Sequence, residues 1–317
     1  MKTLNTKKNG EILLSVVMTN YNHGHYLNER IPSILSQLPL SSEFIIVDDA
    51  STDNSVSIIQ KFVEGDSRIN FIRNKKNLGV VFSANIAFKA AQGKYVTSLA
   101  ADDKILPGFI DKTLQVLLDH PDIAICCSDC GLCFEGFSDK DPNAIETTKL
   151  LKTSESLHVF SPKKLPKIFR TTNFWIPGHT SIIKMSAIKK HGYLNKNLES
   201  LCDWFLFHSI ALEEGVAYIP QTLAIWRQHN YNNNFSSTVQ NDKKRKKSMY
   251  LQLFKILSEK KNRKIRSQFR KATILQFYVK QLFFTLIWQP KQWDIIATVL
   301  IKVFRRRLRR YLALEKN

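Results

Sequence analysis

The first 130 residues alternate between short apolar runs and stretches with helical spacing. We predict buried β-strands at 12–18, 44–47, 69–72, 94–98 and 123–127, which are short runs rich in apolar or β-branched residues. Between them, apolar residues recur three or four positions apart, which predicts helices at 25–37, around 56–62, at 80–91 and at 109–120. Strands that alternate with helices predict an α/β fold, with a mostly parallel sheet and helices on both faces.

Polar clusters follow three of the predicted strands. Thr19 and Tyr21 follow the first strand, Asp48-Asp49 ends the second, and Asp102-Asp103 comes soon after the fourth. The carboxyl edge of an open α/β sheet is where such folds bind ligands. Two adjacent carboxylates repel each other unless they share a proton or a cation, so a divalent metal that holds phosphate oxygens would suit Asp102 and Asp103. The structural alternative is that they only cap the next helix.

Other nucleotide-binding patterns are missing from the chain. The sequence contains no Gly-x-Gly-x-x-Gly and no Gly-Lys-Ser/Thr loop. These absences argue against a dinucleotide fold and a P-loop.

Two residues of the second half could serve chemistry. Asp203 lies in the first turn of a predicted helix, where the helix dipole stabilises an acidic side chain, so a purely structural role stays open. His229 ends a short predicted strand at 225–229. It is either a surface residue or a partner for metal or phosphate.

The cysteines allow two interpretations. Cys127, Cys130 and Cys133 have the spacing of an iron–sulfur ligand run, and Cys126 is adjacent. However, the run lacks a nearby fourth cysteine followed by proline, and Cys126 and Cys127 end an apolar strand. We therefore expect free, buried thiols in a reducing cytoplasm.

The charge of this 317-residue chain is concentrated at its end. Residues 241–317 contain 22 Lys/Arg and 4 Asp/Glu, whereas the first 240 residues contain 25 and 23. The apolar runs at 274–288 and 293–304 fall short of the roughly 20 residues that a membrane-spanning helix needs. We expect amphipathic helices on an anionic membrane surface, while a helical hairpin packed on the main domain remains the alternative. Nucleic acid is a poorer partner, because large aliphatic residues interleave with the basic ones and no recognition motif accompanies them.

The two accounts of the tail predict different behaviour for a shortened chain. If the tail lies on a membrane, a chain ending near Val239 should stay soluble, whereas a packed hairpin predicts that it aggregates or loses stability.

Residues 1–10 are polar and basic, with no leading apolar stretch. We expect a cytoplasmic protein associated peripherally with the inner face of the cell membrane.

Several motifs together resemble the family 2 glycosyltransferases. The resemblance covers roughly 12–229 and rests on 15–22, 33–37, 46–53, 77–79, Asn85 and 99–103. It implies a GT-A fold at 11–240, in which 11–128 bind the nucleotide-sugar and 129–240 bind the acceptor. Residues 1–10 would form a flexible tail, and 241–317 a basic amphipathic helical tail.

The resemblance also implies roles for individual residues. Asp203 would be the general base that deprotonates the acceptor hydroxyl. A divalent cation, Mn²⁺ or Mg²⁺, would be held by Asp103, Asp102 and His229. The nucleotide-sugar would contact Thr19, Tyr21, Asp49, Asn77, Asn85 and Asp102. Many relatives have Asp at position 100 and Arg at position 84, where this chain has Ala100 and Ala84.

The function implied is an inverting, metal-dependent, hexosyltransferase-type transfer. The donor would be a nucleoside-diphosphate sugar, with a UDP-sugar favoured, and the acceptor a hydroxyl of a glycan or lipid-linked acceptor in bacterial cell-surface polysaccharide synthesis. The Gln-x-x-Arg-Trp motif of processive synthases is absent. One sugar per encounter is therefore expected. The alternative is a catalytically degenerate GT-A-fold module that binds a membrane surface, because Ala100 and Ala84 remove polar groups.

Overall fold

A computed structural model describes residues 11–134, 145–151, 155–172, 174–228 and 235–275, together with three single positions at 293, 297 and 301. The strands in these ranges are β1 (Leu14–Asn20), β2 (Ser42–Asp48), β3 (Ile69–Arg73), β4 (Tyr95–Ala100), β5 (Lys104–Ile105), β6 (Ile125–Phe134), β7 (Ile145–Thr148), β8 (His158–Phe160), β9 (Ser181–Lys184) and β10 (Val216–Gln228). They form one sheet, in which the main path runs β3-β2-β1-β4-β9-β6-β10-β5.

The helices in the same ranges are α1 (Gly24–Leu35), α2 (Ser55–Gly65), α3 (Val80–Ala90), α4 (Phe109–Asp119), α5 (Leu165–Thr171), α6 (Met185–His191), α7 (Cys202–Glu214), α8 (Phe235–Asn241), α9 (Lys243–Ser258) and α10 (Arg263–Ala272). Short 3₁₀ helices precede α7 (Lys196–Leu201) and α10 (Lys260–Asn262). None of the helices in the described ranges has both the length and the apolar character that a membrane crossing needs.

The first half of the sheet confirms the predicted α/β architecture. β1 pairs in parallel with both β2 and β4, and β2 pairs in parallel with β3. Successive β1 side chains point to opposite faces, and both faces are buried. Val17 packs in the same cluster as Phe88 of α3, whereas Val16 packs with Leu27 of α1 and Ile59 of α2. The continuous apolar runs therefore indicated strands covered on both sides.

The second half departs from simple strand–helix alternation. β9 lies between β4 and β6 and is antiparallel to both. β6 then pairs in parallel with the long strand β10. The periodicity did not predict β9, because four residues are too few to separate a strand from a loop. The position of β9 beside β4 brings the loop that precedes β9 toward the carboxyl edge of β4.

The helices at 235–275 pack against α7. Leu253 and Phe254 of α9 and Phe269 of α10 are at most 1% exposed, and they share an apolar cluster with Phe207 and Ile210 of α7. Lys264 of α10 also lies 3.2 Å from Glu213 of α7. Residues 241–275 of the tail therefore pack on the main domain, as the hairpin alternative predicts. The apolar runs at 274–288 and 293–304 fall almost entirely outside the described residues, so their expected contact with membrane stays a prediction.

We expect a chain ending at Val239 to aggregate or to melt at a lower temperature than the full chain. Its core would lose Met249, Tyr250, Leu253 and Phe254, all at most 1% exposed. In the full chain, Leu253→Ala should lower the free energy of unfolding by about 2–5 kcal/mol, because it leaves a cavity. Lys255→Ala on the exposed face of the same helix should change it by less than about 0.5 kcal/mol. Thermal and urea unfolding would measure both effects, and a full-chain midpoint for the shortened protein would contradict the packing.

His208 of α7 should make the fold sensitive to acid. Burial lowers the pKa of His208 to about 4, and the ring lies between Phe169 and Trp204. An unfolded histidine titrates near 6.5, so between pH 6.5 and 4 the unfolded chain binds a proton that the native state does not. Stability should therefore fall as the pH falls through this range, by on the order of 2 kcal/mol from pH 7 to pH 5. Urea unfolding should show a smaller acid loss for His208→Gln than for wild type or for the exposed-site control His25→Gln, and equal losses would refute this role.

Candidate active site

The predicted polar clusters meet at one edge of the sheet. In the strand register, Asn20 at the end of β1 faces Asp48 of β2, and Thr19 faces Ala100 of β4. The loops that carry Tyr21, Asp49 and Asp102 leave the sheet from neighbouring positions. Strand order thus brings four of the predicted donor-side residues, Thr19, Tyr21, Asp49 and Asp102, to one edge of the sheet.

Asp48 locks the first two loops together. Its carboxylate is fully buried and accepts hydrogen bonds from Asn20 Nδ2 at 2.9 Å, Ser51 N at 2.9 Å and Ser51 Oγ at 2.5 Å. Ser51 Oγ also accepts from Asn22 N at 2.9 Å. Asp48 therefore shapes the edge of the site and is not itself accessible to a ligand.

Asp49 holds the loop at 74–79. The Asp49 side chain accepts from Asn74 Nδ2 at 2.7 Å, Leu78 N at 2.9 Å and Gly79 N at 2.8 Å. Asn77 is exposed, and its side-chain oxygen accepts from Gly79 N at 3.0 Å. Asp49 is only 3% exposed, so the structure gives it a role in holding this loop, and its contact with the nucleotide-sugar stays a prediction.

The other predicted donor-side residues differ in what they can contact. Tyr21 is 44% exposed at the sheet edge, so a ligand could reach its ring. Asn85, in contrast, donates from Nδ2 to Leu194 O at 2.8 Å and accepts from Leu194 N at 3.0 Å. Both ends of this amide are engaged by the backbone. Asn85 thus fixes the segment that leads to the 3₁₀ helix at 196–201, a role that its place in the motif did not reveal.

The acidic pair lies in an environment that opposes two negative charges. Burial and the neighbouring charge of Asp102 raise the pKa of Asp103 well above its ordinary value. The positive charge of Arg30 and backbone hydrogen bonds from Arg227 and Ala100 act in the opposite direction. Arg30 and Arg227 both approach the ring of Tyr26, at 5.9 and 4.9 Å from its centroid.

Arg30 was not predicted as part of the site. It is only 1% exposed, although charged residues are almost never fully buried unless paired. Its charge reaches Asp103 because α1 packs against β5, the strand that directly follows Asp103. Nothing in the local sequence pattern carries that information.

The acidic pair fits a hard divalent cation. A cation would remove the repulsion between Asp102 and Asp103, and Mg²⁺-type sites commonly use one or two carboxylates together with phosphate oxygens and water. The described ranges contain no cluster of three or more His, Cys, Asp or Glu side chains placed to hold a metal. His229, the third predicted ligand, lies outside the described residues. Within the described residues, the further ligands of such a cation would come from the substrate or from water.

Asp203 lies in the first turn of α7, as predicted, and is close to a glycine. Burial raises the pKa of Asp203 even though its carboxylate accepts from Trp204 N at 2.7 Å. A Cβ atom on Gly178 would lie 2.9 Å from Asp203 Oδ2, so only glycine leaves that oxygen its space. A raised pKa makes Asp203 a better proton acceptor than an ordinary exposed aspartate.

His179 joins the two acidic regions. Its Nε2 lies 3.0 Å from Cys130 Sγ, and the charge of Asp102 acts on its ring. Burial lowers the pKa of His179 to about 4, so the imidazole is neutral at pH 7. Gly178 thus lies against Asp203, and the adjacent His179 lies within reach of the charge of Asp102. Neither Gly178 nor His179 was among the site residues that the sequence predicted.

All five cysteines are free and buried, as predicted. Burial raises the pKa of Cys130 to about 12 and raises those of Cys126 and Cys127 as well. Such thiols are protonated at neutral pH and are poor nucleophiles. The described residues contain no cluster of three or more His, Cys, Asp or Glu side chains placed to hold a metal, so the iron–sulfur alternative finds no support in them.

We expect Asp49→Asn to lower the free energy of unfolding by about 1–3 kcal/mol. The amide replaces one acceptor oxygen by a donor, so Leu78 N or Gly79 N loses its partner. Asn77→Ala is the matched control, because Asn77 is exposed and only shares Gly79 N. Urea unfolding of both variants measures the difference, and equal stabilities would show that Asp49 does not hold this loop.

A family profile described as Glycosyl transferase family 2 matches residues 15–192. A relative from Bacillus subtilis, TuaG, whose name assigns it to teichuronic acid biosynthesis as a glycosyltransferase, is 32% identical over 149 residues. That alignment covers 47% of this chain, and the chain spans only 56% of that relative.

Two solved structures share the fold. Staphylococcus aureus TarS 1–349, in complex with UDP-GlcNAc, superposes with a TM-score of 0.63 at 16% identity, covering 90% of this chain and 79% of that one. The mannosyltransferase PcManGT from Pyrobaculum calidifontis, in complex with GDP-Man and Mn²⁺, gives 0.55 at 14% identity, covering 94% and 76%. The family match spans more than half of the chain and includes the strand-end motifs of the site, and on this ground the chain belongs to glycosyl transferase family 2.

Proposed function

We propose that this glycosyltransferase is an inverting, metal-dependent enzyme that moves a hexose from a nucleoside-diphosphate sugar to a hydroxyl of a glycan or lipid-linked acceptor. One observation carries the proposal: Asp203 lies against Gly178, and the charge of Asp102 acts on the ring of the adjacent His179. The enzyme would thus have a site for the diphosphate and a base for the acceptor near each other. Cell-surface polysaccharide synthesis is the proposed setting, in keeping with the name of the teichuronic acid relative.

On the donor side, the accessible groups suit a nucleotide. The exposed ring of Tyr21 offers a stacking surface for the base, and the exposed side chain of Asn77 offers a polar group to the nucleoside, while the buried Asp49 shapes this part of the site by holding the loop at 74–79. A divalent cation held by Asp102 and Asp103, with His229 as a further ligand, would neutralise charge on the diphosphate when bound. The UDP-GlcNAc complex of TarS and the Mn²⁺ complex of PcManGT support a UDP-sugar and a divalent metal, respectively.

On the acceptor side, Asp203 performs the proton transfer. The acceptor hydroxyl oxygen forms a bond to the anomeric carbon from the face opposite the diphosphate, and its proton passes to Asp203. The bond between the anomeric carbon and the diphosphate oxygen breaks, and the nucleoside diphosphate leaves with that electron pair. A single in-line displacement inverts the anomeric centre.

The charge of the C-terminal region supports a location at a membrane surface. Residues 241–317 carry nearly all of the net charge, and Lys243, Lys244 and Lys247 of α9 are exposed. Such a surface suits the anionic inner face of the cell membrane, where lipid-linked acceptors are reached. The enzyme would act there as a peripheral protein in the cytoplasm.

The test combines donor binding with transfer. UDP-sugars and GDP-sugars should be screened for a rise in the thermal midpoint with and without Mn²⁺, because binding to the native state stabilises it. Asp103→Ala should abolish the metal-dependent rise. Asp203→Asn should keep donor binding and lower transfer by about 10²-fold or more, because an amide cannot take the proton.

Asp111→Asn is the matched control. Asp111 also lies in the first turn of a helix, α4, but it is exposed. It should leave both donor binding and transfer unchanged. Full transfer by Asp203→Asn would place the base elsewhere. Metal-dependent binding without transfer in wild type would favour the degenerate binding module.

A further inference from the structure

The segment that leads into Asp203 contains a strained residue. Glu199 interrupts the 3₁₀ helix at 196–201 with φ 42° and ψ −119°, a backbone conformation that residues other than glycine rarely adopt. Such strain persists only where surrounding contacts over-determine the backbone, and it concentrates at functional sites. Glu199 lies four residues before Asp203 in this short segment.

An ion pair from the C-terminal helices holds Glu199. Arg245 of α9 donates from Nε at 3.0 Å and from Nη2 at 2.6 Å, both to Glu199 Oε2. The two side chains are 41% and 25% exposed, so the pair is partly shielded from water. A two-donor fork fixes the direction of the acceptor more tightly than a single contact does.

The neighbouring residue is held from the same side. Gln240 Nε2 donates to Ser200 Oγ at 3.3 Å, and Ser200 Oγ lies 3.5 Å from Met249 Sδ. On the opposite side, the amide of Asn85 clamps Leu194, just before the 3₁₀ helix. The segment 194–201 is thus fastened at its start by α3 and near its end by α8 and α9.

We propose that Arg245 and Glu199 are a positioning pair for the base: α9 holds the strained turn that sets where Asp203 stands against Gly178. This inference rests on the proposed function of Asp203. It gives the beginning of the basic C-terminal region a role inside the enzyme, because Arg245 acts through Glu199 on the acceptor side. A substitution at Arg245 should therefore alter the transfer step and leave donor binding unaffected.

The test compares two charge-neutralising variants on one helix of the full chain. Arg245→Gln removes the fork, whereas Lys247→Gln removes the same charge from an exposed position on α9. Hydrogen exchange of the amides at 198–204 should speed up at least tenfold in Arg245→Gln and stay at the wild-type rate in Lys247→Gln. Arg245→Lys, which keeps one donor, should fall between them.

The kinetic readout separates positioning from general destabilisation. Transfer kcat should fall about tenfold in Arg245→Gln and Glu199→Gln, with donor affinity within twofold of wild type. The double variant should lose no more than the worse single variant, because the two side chains act as one unit. A structural role alone would lower the thermal midpoint without this split between kcat and donor binding.

Failure of this inference is distinguishable from failure of the proposed function. Equal exchange at 198–204 in Arg245→Gln and Lys247→Gln would overturn the positioning pair, whatever the activity. Wild type that binds no nucleotide-sugar would overturn the proposed function, while the exchange experiment would still decide whether Arg245 holds the segment.

Discussion

Buried negative charge at the carboxyl edge of the sheet is the constraint on which the rest of the site depends. One pair of adjacent aspartates lies at the end of β2 and the other just after β4, with β1 between these strands, and the two pairs have opposite environments. The carboxylates of Asp48 and Asp49 are satisfied internally by amide, hydroxyl and backbone donors. At Asp102–Asp103, burial and the neighbouring charge of Asp102 raise the pKa of Asp103 well above its ordinary value. The first pair builds loops, and the second leaves a demand for positive charge that a metal and its substrate would meet.

The predictions that came from local pattern agree with the structure. Both aspartate pairs, the first four strands and the place of Asp203 in the first turn of α7 could be derived because each depends on neighbours in sequence. The buried charge of Arg30 and the clamp of Asn85 on Leu194 could not, because each depends on which elements meet after folding. The importance of glycine at position 178 could not be derived from local pattern either, because the side chain beside it belongs to Asp203, 25 positions further on.

The C-terminal helices show where pattern alone is ambiguous. An amphipathic helix presents the same apolar stripe whether that stripe meets lipid or protein, so sequence periodicity did not decide between the two. The structure decides between them for α9. Leu253 and Phe254 share an apolar cluster with residues of α7, while Lys243, Lys244 and Lys247 are exposed. Arg245 differs from those lysines because it reaches Glu199.

The direction of β9 has a consequence for how this site can diverge. Because β9 runs against β4 and β6, the residues just before its first residue, Ser181, run on toward the carboxyl ends of those strands, and Gly178 and His179 are among them. Inserting or deleting one residue between His179 and β9 would shift Gly178 relative to Asp203 and His179 relative to Cys130 together, because the two residues are adjacent in the chain. This segment can therefore vary in its side chains more readily than in its length.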